Sequence, residues 1–230
     1  MKKAIFAWSG GKDSSLALHQ ILEDNEFEIV GLLTTINEEF QRISMHGVRV
    51  ELLEKQAASI GLPLIKMFVN EGSYDEYERK METLLLEHKS EGVTHVIFGD
   101  IFLEDLKKYR EDNLAKVDMI GVFPLWKRDT ASLVSEFISK GFKTVVCCVN
   151  DALLGEDHVG EVINESFVSS LPKEVDPCGE NGEFHTFCFE GPIFSEPIKY
   201  ALGEKIYKPL DKALISEDMT TKGFWYIDLS

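Results

Sequence analysis

Between the apolar run Ala4-Ile5-Phe6-Ala7-Trp8 and the helix-forming Leu16-Ala17-Leu18-His19, the chain reads Ser9-Gly10-Gly11-Lys12-Asp13-Ser14-Ser15. Adjacent glycines carry no Cβ, so backbone N–H groups can converge there on an anion, and a helix start adds unpaired donors and partial positive charge. Lys12 supplies a full charge on a long stem, and Ser9, Ser14 and Ser15 supply hydroxyl donors. Together these groups suit a di- or triphosphate. The spacing differs from the Walker loop, Gly-x-x-x-x-Gly-Lys-Ser/Thr, because Gly10 and Gly11 are adjacent and Asp13 follows the lysine. Asp13 is a candidate to help hold magnesium, which bridges phosphate oxygens. The competing reading is an ordinary Gly-Gly turn before a helix, and the joint presence of glycines, lysine and serines at a strand-to-helix switch argues against it. The phosphate reading requires the turn to face a cavity that admits the ligand.

Ser9-Gly10-Gly11-Lys12-Asp13-Ser14 resembles the pyrophosphatase loop (PP-loop) of the adenine nucleotide α-hydrolase-like superfamily. The resemblance implies that ATP is cleaved to AMP and pyrophosphate, after an acceptor oxygen is joined to the α-phosphate. A nitrogen or sulfur nucleophile then displaces AMP. The loop is silent on the acceptor.

Two further segments are expected at the same carboxyl edge of the sheet. In Ser44-Met45-His46-Gly47-Val48-Arg49, an inward Arg49 would bind an anionic substrate, with His46 beside it, and the backbone near Thr34 and Met45 would hold the adenine. The bland alternative makes His46 a solvated cap and Arg49 a surface residue. In Val96-Ile97-Phe98-Gly99-Asp100, Gly99 permits close backbone approach and Asp100 can accept from a ribose, position magnesium or bind an amine; a helix cap is its rival role. Downstream, Lys107, Lys108 and Arg110 repeat at helical spacing, and Arg110 is carried forward as a substrate-binding candidate against the alternative of a solvated face.

The segment Asp176-Pro177-Cys178-Gly179-Glu180-Asn181-Gly182-Glu183-Phe184-His185-Thr186 sets two glutamates and a histidine among glycines that permit tight turns. A β-turn followed by a half-buried strand explains it equally well from the residues alone. Gly-Glu-Asn-Gly-Glu-Phe-His-Thr nevertheless resembles the signature of the diphthine–ammonia ligase family, which also carries the Ser-Gly-Gly-Lys-Asp-Ser loop. Ser-Met-His-Gly-Val-Arg at 44–49 and Gly-Asp-Ile-Phe-Leu-Glu-Asp at 99–105 are similar to that family's other blocks, so the resemblance spans roughly residues 4–190. It is to a bacterial-type member, since His185 stands where the eukaryotic and archaeal versions carry an acidic residue.

The resemblance implies an ATP-dependent, AMP-forming amide ligase with ATP, ammonium and a carboxylate as substrates, diphthine being one acceptor and another carboxylate the alternative. Lys12 and Asp13 would serve the phosphates, Glu180, Asn181, Glu183 and His185 would bind substrate, and Glu180, Glu183 or His185 would guide ammonium and take up a proton. Met1-Lys2 offers no N-terminal cysteine nucleophile and the chain is short for an added glutaminase domain, so free or partner-delivered ammonia is expected. The rivals are a PP-loop enzyme that modifies transfer RNA, for which Cys178 is the one plausible reactive thiol, and a non-catalytic ATP-binding regulator.

These residues need a frame. Apolar strand-like runs near 3–8, 28–35, 64–69, 93–98, 119–123 and 143–149 alternate with helical segments near 14–24, 47–60, 74–90, 103–117 and 130–140. That alternation predicts a Rossmann-like (HUP-type) α/β fold, with a parallel sheet of about five strands flanked by helices. An ATP-binding domain over 1–150 and a small β-rich C-terminal extension over 151–230 are expected, the latter packed over the sheet's carboxyl edge. A helix is anticipated at 159–169, and strands near 184–189, 197–207 and 223–229. Asp13-Ser14 is expected to cap the first helix, and Gly61, Gly92 and Gly141 to end others.

The composition narrows the field further. The chain has 230 residues with 44% hydrophobic content, enough for a full core. Forty acidic residues against 24 basic ones give a formal charge of −16, which repels polyanions and weighs against large RNA substrates. Cys147, Cys148, Cys178 and Cys188 form no Cys-x-x-Cys pair, and buried core thiols are expected at Cys147 and Cys148, which lie in an apolar run. With no membrane-spanning run and no signal-like start, a cytoplasmic location is expected. A homodimer is left open as an assembly.

Overall fold

The computed structural model describes residues 1–44, 46–70, 74–210 and 220–230. It opens with β1 (Lys2–Ala7), α1 (Lys12–Asp24), β2 (Phe27–Asn37), β3 (Arg42–Ile43), α2 (Val50–Ile60), β4 (Leu64–Val69) and α3 (Tyr74–Ser90). Next come β5 (Val93–Ile97), α4 (Glu104–Lys116), β6 (Ile120–Val122) and α5 (Thr130–Ser139). The chain finishes with β7 (Lys143–Asn150), α6 (Glu165–Ser170), β8 (Phe184–Glu190), β9 (Leu202–Pro209) and β10 (Gly223–Leu229).

The first sheet is mostly parallel: β4 pairs with β2, β2 with β1, β1 with β5 and β5 with β6, while the short β3 turns back antiparallel on β2. Its central strand is apolar throughout its inner part, with Ala4, Ile5 and Phe6 all at 0% exposure, as a strand covered by helices on both faces requires. Helix ends follow local chemistry: Gly61 takes the left-handed conformation at φ 81° after α2, and Gly92 and Gly141 do so at 92° and 80°.

The second sheet is antiparallel, in the order β8-β7-β10-β9. Here two expectations change. β7, read as the last strand of the parallel series, instead pairs antiparallel with β8 and β10. The helix anticipated at 159–169 begins only at Glu165, because Gly160 lies at φ 90°, outside helical space, and Val162 forms a bridge to Val145. Among the described residues no helix is long and apolar enough to cross a membrane.

Of two clusters of buried side chains among the described residues, one runs from Phe6, Leu18 and Leu53 through Phe137 to Val145, Phe187 and Ile227, so the two sheets share that core; the other, with Ile5, Leu33, Val96 and Leu114, belongs to the first sheet. That shared core holds β8 against the loop between β1 and α1.

Candidate active site

The loop departs from β1 through buried Trp8 and half-buried Ser9. Gly10 adopts φ 75°, a left-handed turn that a side chain would strain. α1 begins at Lys12 with Gly11 as its N-cap and no side-chain cap, rather than with the expected Asp13-Ser14 cap. The Ser14 and Ser15 hydroxyls instead donate back to the Gly11 carbonyl at 3.0 and 2.8 Å. Ser9 Oγ donates to Ser14 Oγ at 3.1 Å and accepts from the Gly11 N–H at 3.3 Å.

The C-terminal segment lies directly on this loop. Thr186 Oγ1 accepts the Lys12 N–H at 3.0 Å, and the Cys188 N–H donates to the Gly10 carbonyl at 2.8 Å. Lys12 Nζ reaches both oxygens of Asp13, at 2.9 and 2.7 Å, and also donates to the Cys178 carbonyl. Burial works against the charge on Lys12, which is 3% exposed, but Asp13, the Cys178 thiol and Glu180 outweigh it and raise its pKa. Gly10, Gly11, Lys12, Ser14 and Ser15 are therefore buried beneath residues 178–188, where the sequence reading required an open cavity. A cavity of about 220 Å³ lies elsewhere, lined by Phe40, Gln41, Arg42, Arg49, Val50 and Glu51. The loop has the right donors, and they are engaged within the protein.

The acidic residues of the 176–186 segment form a connected set. Asp176 Oδ1 accepts from the N–H groups of Cys178 and Glu180 at 2.9 and 3.3 Å, and its Oδ2 accepts the Thr130 hydroxyl at 2.7 Å. Glu180 Oε1 accepts from the Ile101 and Phe102 N–H groups at 2.7 and 3.2 Å, which ties this turn to the end of β5. Burial pushes the Glu180 carboxyl up to about 7; these hydrogen bonds pull it down and Asp13 pushes it further up. Glu183 is 1% exposed, its Oε1 accepting from the Asp176 N–H and from Asn181 Nδ2, each at 3.0 Å, while its Oε2 has no partner among the described residues.

His46 and His185 come together over the loop. His46 Nδ1 meets the Thr186 carbonyl at 3.0 Å, and the two rings lie 4.7 Å apart between centroids. Burial lowers His46 to about 4 against the help of the Thr186 carbonyl, with Lys12 lowering it further. Burial, His46 and Lys12 hold His185 well below its ordinary value, and its buried Nε2 has no partner among the described residues.

The remaining candidates divide. Thr34 is buried, its hydroxyl without a partner among the described residues, and Met45 lies outside those residues. Gly99 abuts the start of α1 so closely that a Cβ there would lie 3.0 Å from the Ser14 nitrogen. Asp100 does not cap α4, whose N-cap is Leu103. Its carboxylate instead takes both Arg110 Nε and, at 3.0 Å, Arg110 Nη2, so these two candidates hold one another. Arg49 is turned to Asp228 of β10, which also receives Arg42 at 2.7 Å. All four cysteines are buried and free, with burial pushing the Cys178 thiol up to about 12, far from a poised thiolate.

Several site residues escaped the sequence reading. Thr186 carried no signal beyond its place in the block, and Asp228 lies 179 positions from Arg49. Gln56 did carry one: it interrupts the apolar stripe formed by Leu52, Leu53 and Ala57 on α2, a polar side chain on a face otherwise buried.

Comparison with known proteins adds sequence similarity to this geometry. A family model described as diphthamide synthase N-terminal domain matches residues 1–119, and one described as diphthamide synthase C-terminal domain matches residues 129–216. A diphthine–ammonia ligase from Danio rerio is 30% identical over 214 residues, covering 83% of this chain and 83% of that protein. The diphthine–ammonia ligase from Homo sapiens is 28% identical over 216 residues, covering 83% of this chain and 79% of that protein. Among solved structures, the "predicted subunit of tRNA methyltransferase from Methanocaldococcus jannaschii DSM" is similar at a TM-score of 0.41 and 18% identity, over 65% of this chain and 80% of that one.

Proposed function

The chain belongs to the diphthamide synthase family, and we propose that it is an ATP-dependent acid–ammonia ligase that forms AMP, activating a carboxylate by adenylation and passing the acyl group to ammonia. The observation that carries this reading is the direct contact between two distant sequence blocks. The loop at 9–15 is bonded to the glutamate-bearing segment through Lys12 N–H to Thr186 and Lys12 Nζ to Cys178. The contact supports the reading by setting the turn proposed for the phosphates beside acidic groups suited to ammonium.

Within that reading the loop amides and Lys12 hold the triphosphate, and catalysis rests on positioning and on neutralising phosphate charge. The substrate carboxylate attacks the α-phosphorus and pyrophosphate leaves. Ammonia then attacks the acyl carbonyl and AMP leaves. Glu180, with a carboxyl poised near neutrality, takes a proton from the attacking nitrogen, and Glu183 offers its unpartnered oxygen to ammonium. Asp13, both of whose oxygens now accept from Lys12 Nζ, is the residue that would hold magnesium, which would supply further charge neutralisation at the phosphates.

Because Lys12 is engaged by Asp13 and the Cys178 carbonyl, phosphates must displace at least the carbonyl. Nucleotide binding is then accompanied by a shift of the 176–183 turn. The test is to incubate the protein with ATP, magnesium and ammonium, with and without a metabolite extract, and to resolve the nucleotides. AMP and pyrophosphate, with an acid in the extract becoming about one dalton lighter as its amide, are the expected products; ADP alone would refute the ligase reading.

A further inference from the structure

We propose that Gln56 is a positioning residue that fixes the orientation of the Gly10–Gly11 peptide, and with it the Gly11 N–H, toward the phosphates; this rests on the loop reading above. Gln56 is 0% exposed on α2, where an unbonded carboxamide would be costly. Its Oε1 accepts the Trp8 Nε1–H at 3.0 Å, and its Nε2 donates to the Gly10 carbonyl at 3.0 Å and to the Cys188 carbonyl at 2.6 Å. The partners fix the amide's orientation, since two carbonyls can only accept and an indole N–H can only donate.

The consequence lies in peptide geometry. Across a trans peptide the C=O and the following N–H point in opposite directions. The Gly10 carbonyl is held by Gln56 and by the Cys188 N–H at 2.8 Å, so the Gly11 N–H is turned the other way, toward Ser9 Oγ at 3.3 Å and the inside of the turn. Gly10, at φ 75° and with no Cβ, is the residue of the loop best able to permit a peptide flip. A flip would aim a carbonyl oxygen where the phosphate reading needs a donor. Gln56 opposes it from the α2 side and ties the same peptide to the backbone of β8.

The test titrates inorganic pyrophosphate, ATP and AMP into wild type and three variants by calorimetry, with a thermal melt on each. Gln56→Glu keeps the acceptor for Trp8 and sets an oxygen against both carbonyls; Gln56→Asn keeps the amide but withdraws it by one methylene. Trp8→Phe removes the indole donor and leaves the bonds to Gly10 and Cys188. Both Gln56 variants are expected to bind pyrophosphate and ATP about tenfold or more weakly while AMP binding changes less than about twofold, and Trp8→Phe to bind pyrophosphate as wild type does. Folded Gln56 variants with wild-type pyrophosphate affinity would overturn the assignment. So would failure of both to fold, or equal weakening by Trp8→Phe, since either makes the network one of core stability. Wild type that binds neither pyrophosphate nor ATP would remove the loop reading itself, and is told apart by that arm alone.

Discussion

The imidazoles of His46 and His185 lie 4.7 Å apart, tilted by 36°, with His46 Nδ1 set 3.0 Å from the Thr186 carbonyl. A carbonyl can only accept, so the Nδ1 carries the proton and the neutral His46 ring presents Nε2 as an acceptor. Burial is the chief reason that both rings have lowered pKa values; Lys12 adds to it at His46, and His46 and Lys12 add to it at His185.

That lowering sets a stability window. With His46 held at about 4 against an ordinary value of 6.5, the unfolded chain takes up the proton first as pH falls. Stability is unaffected by this group above the higher value and is lost as pH drops from about 6.5 toward about 4. Urea unfolding at pH 7 and pH 5 is expected to show a loss that His46→Gln reduces by on the order of 1 kcal/mol. The His46 Cε1 proton resonance, followed by NMR, should titrate far below that of a free histidine.

Glu180 should show itself in the rate. Its carboxyl is pushed up to about 7, mainly by burial, so its basic form appears only as pH rises through that value. Ammonia-dependent AMP formation is expected to climb across that range in wild type. In Glu180→Gln this limb should vanish and the plateau rate fall by about a hundredfold or more. An unaltered pH–rate profile would free Glu180 from the proton-transfer role.

Lys12→Ala is expected to slow AMP release by at least about tenfold, on the order of 1.4 kcal/mol of lost phosphate stabilisation. Because Lys12 is buried against Asp13, the same change strands a carboxylate, and the melting temperature should fall as well. Single-turnover kinetics on protein shown to be folded separates the two effects.

Gly99→Ala probes the contact between the end of β5 and the start of α1. Its added Cβ would lie 3.0 Å from the Ser14 nitrogen and 3.1 Å from the Asp13 carbonyl carbon, backbone atoms that cannot swing aside. A loss of about 1–3 kcal/mol in stability is expected, together with weaker ATP binding, although no ligand-facing side chain changes. Chemical denaturation and nucleotide titration measure both.

The sequence by itself determined the parts whose physics is local. The strand-to-helix junction at 9–15 could be read from seven consecutive residues, because two adjacent glycines follow an apolar run and the helix-forming Leu16-Ala17-Leu18-His19 comes directly after. The alternation of apolar strand-like and helical runs was equally legible, and β4, α3 and β10 begin and end where their residue patterns do. Tertiary structure decided which strands pair and which groups meet. The run Thr144–Val149 is buried on both faces, and such a run carries no period to say whether it will join the parallel sheet or, as it does, the antiparallel one. Only folding brings Glu180 to the N–H groups of Ile101 and Phe102, Asp228 to Arg42 and Arg49, Asp100 to Arg110, and residues 178–188 over the loop. Nearly all of these are contacts between residues tens to hundreds of positions apart. Residue type states what a group can bond, while the packing of the two sheets around one core selects what it does bond.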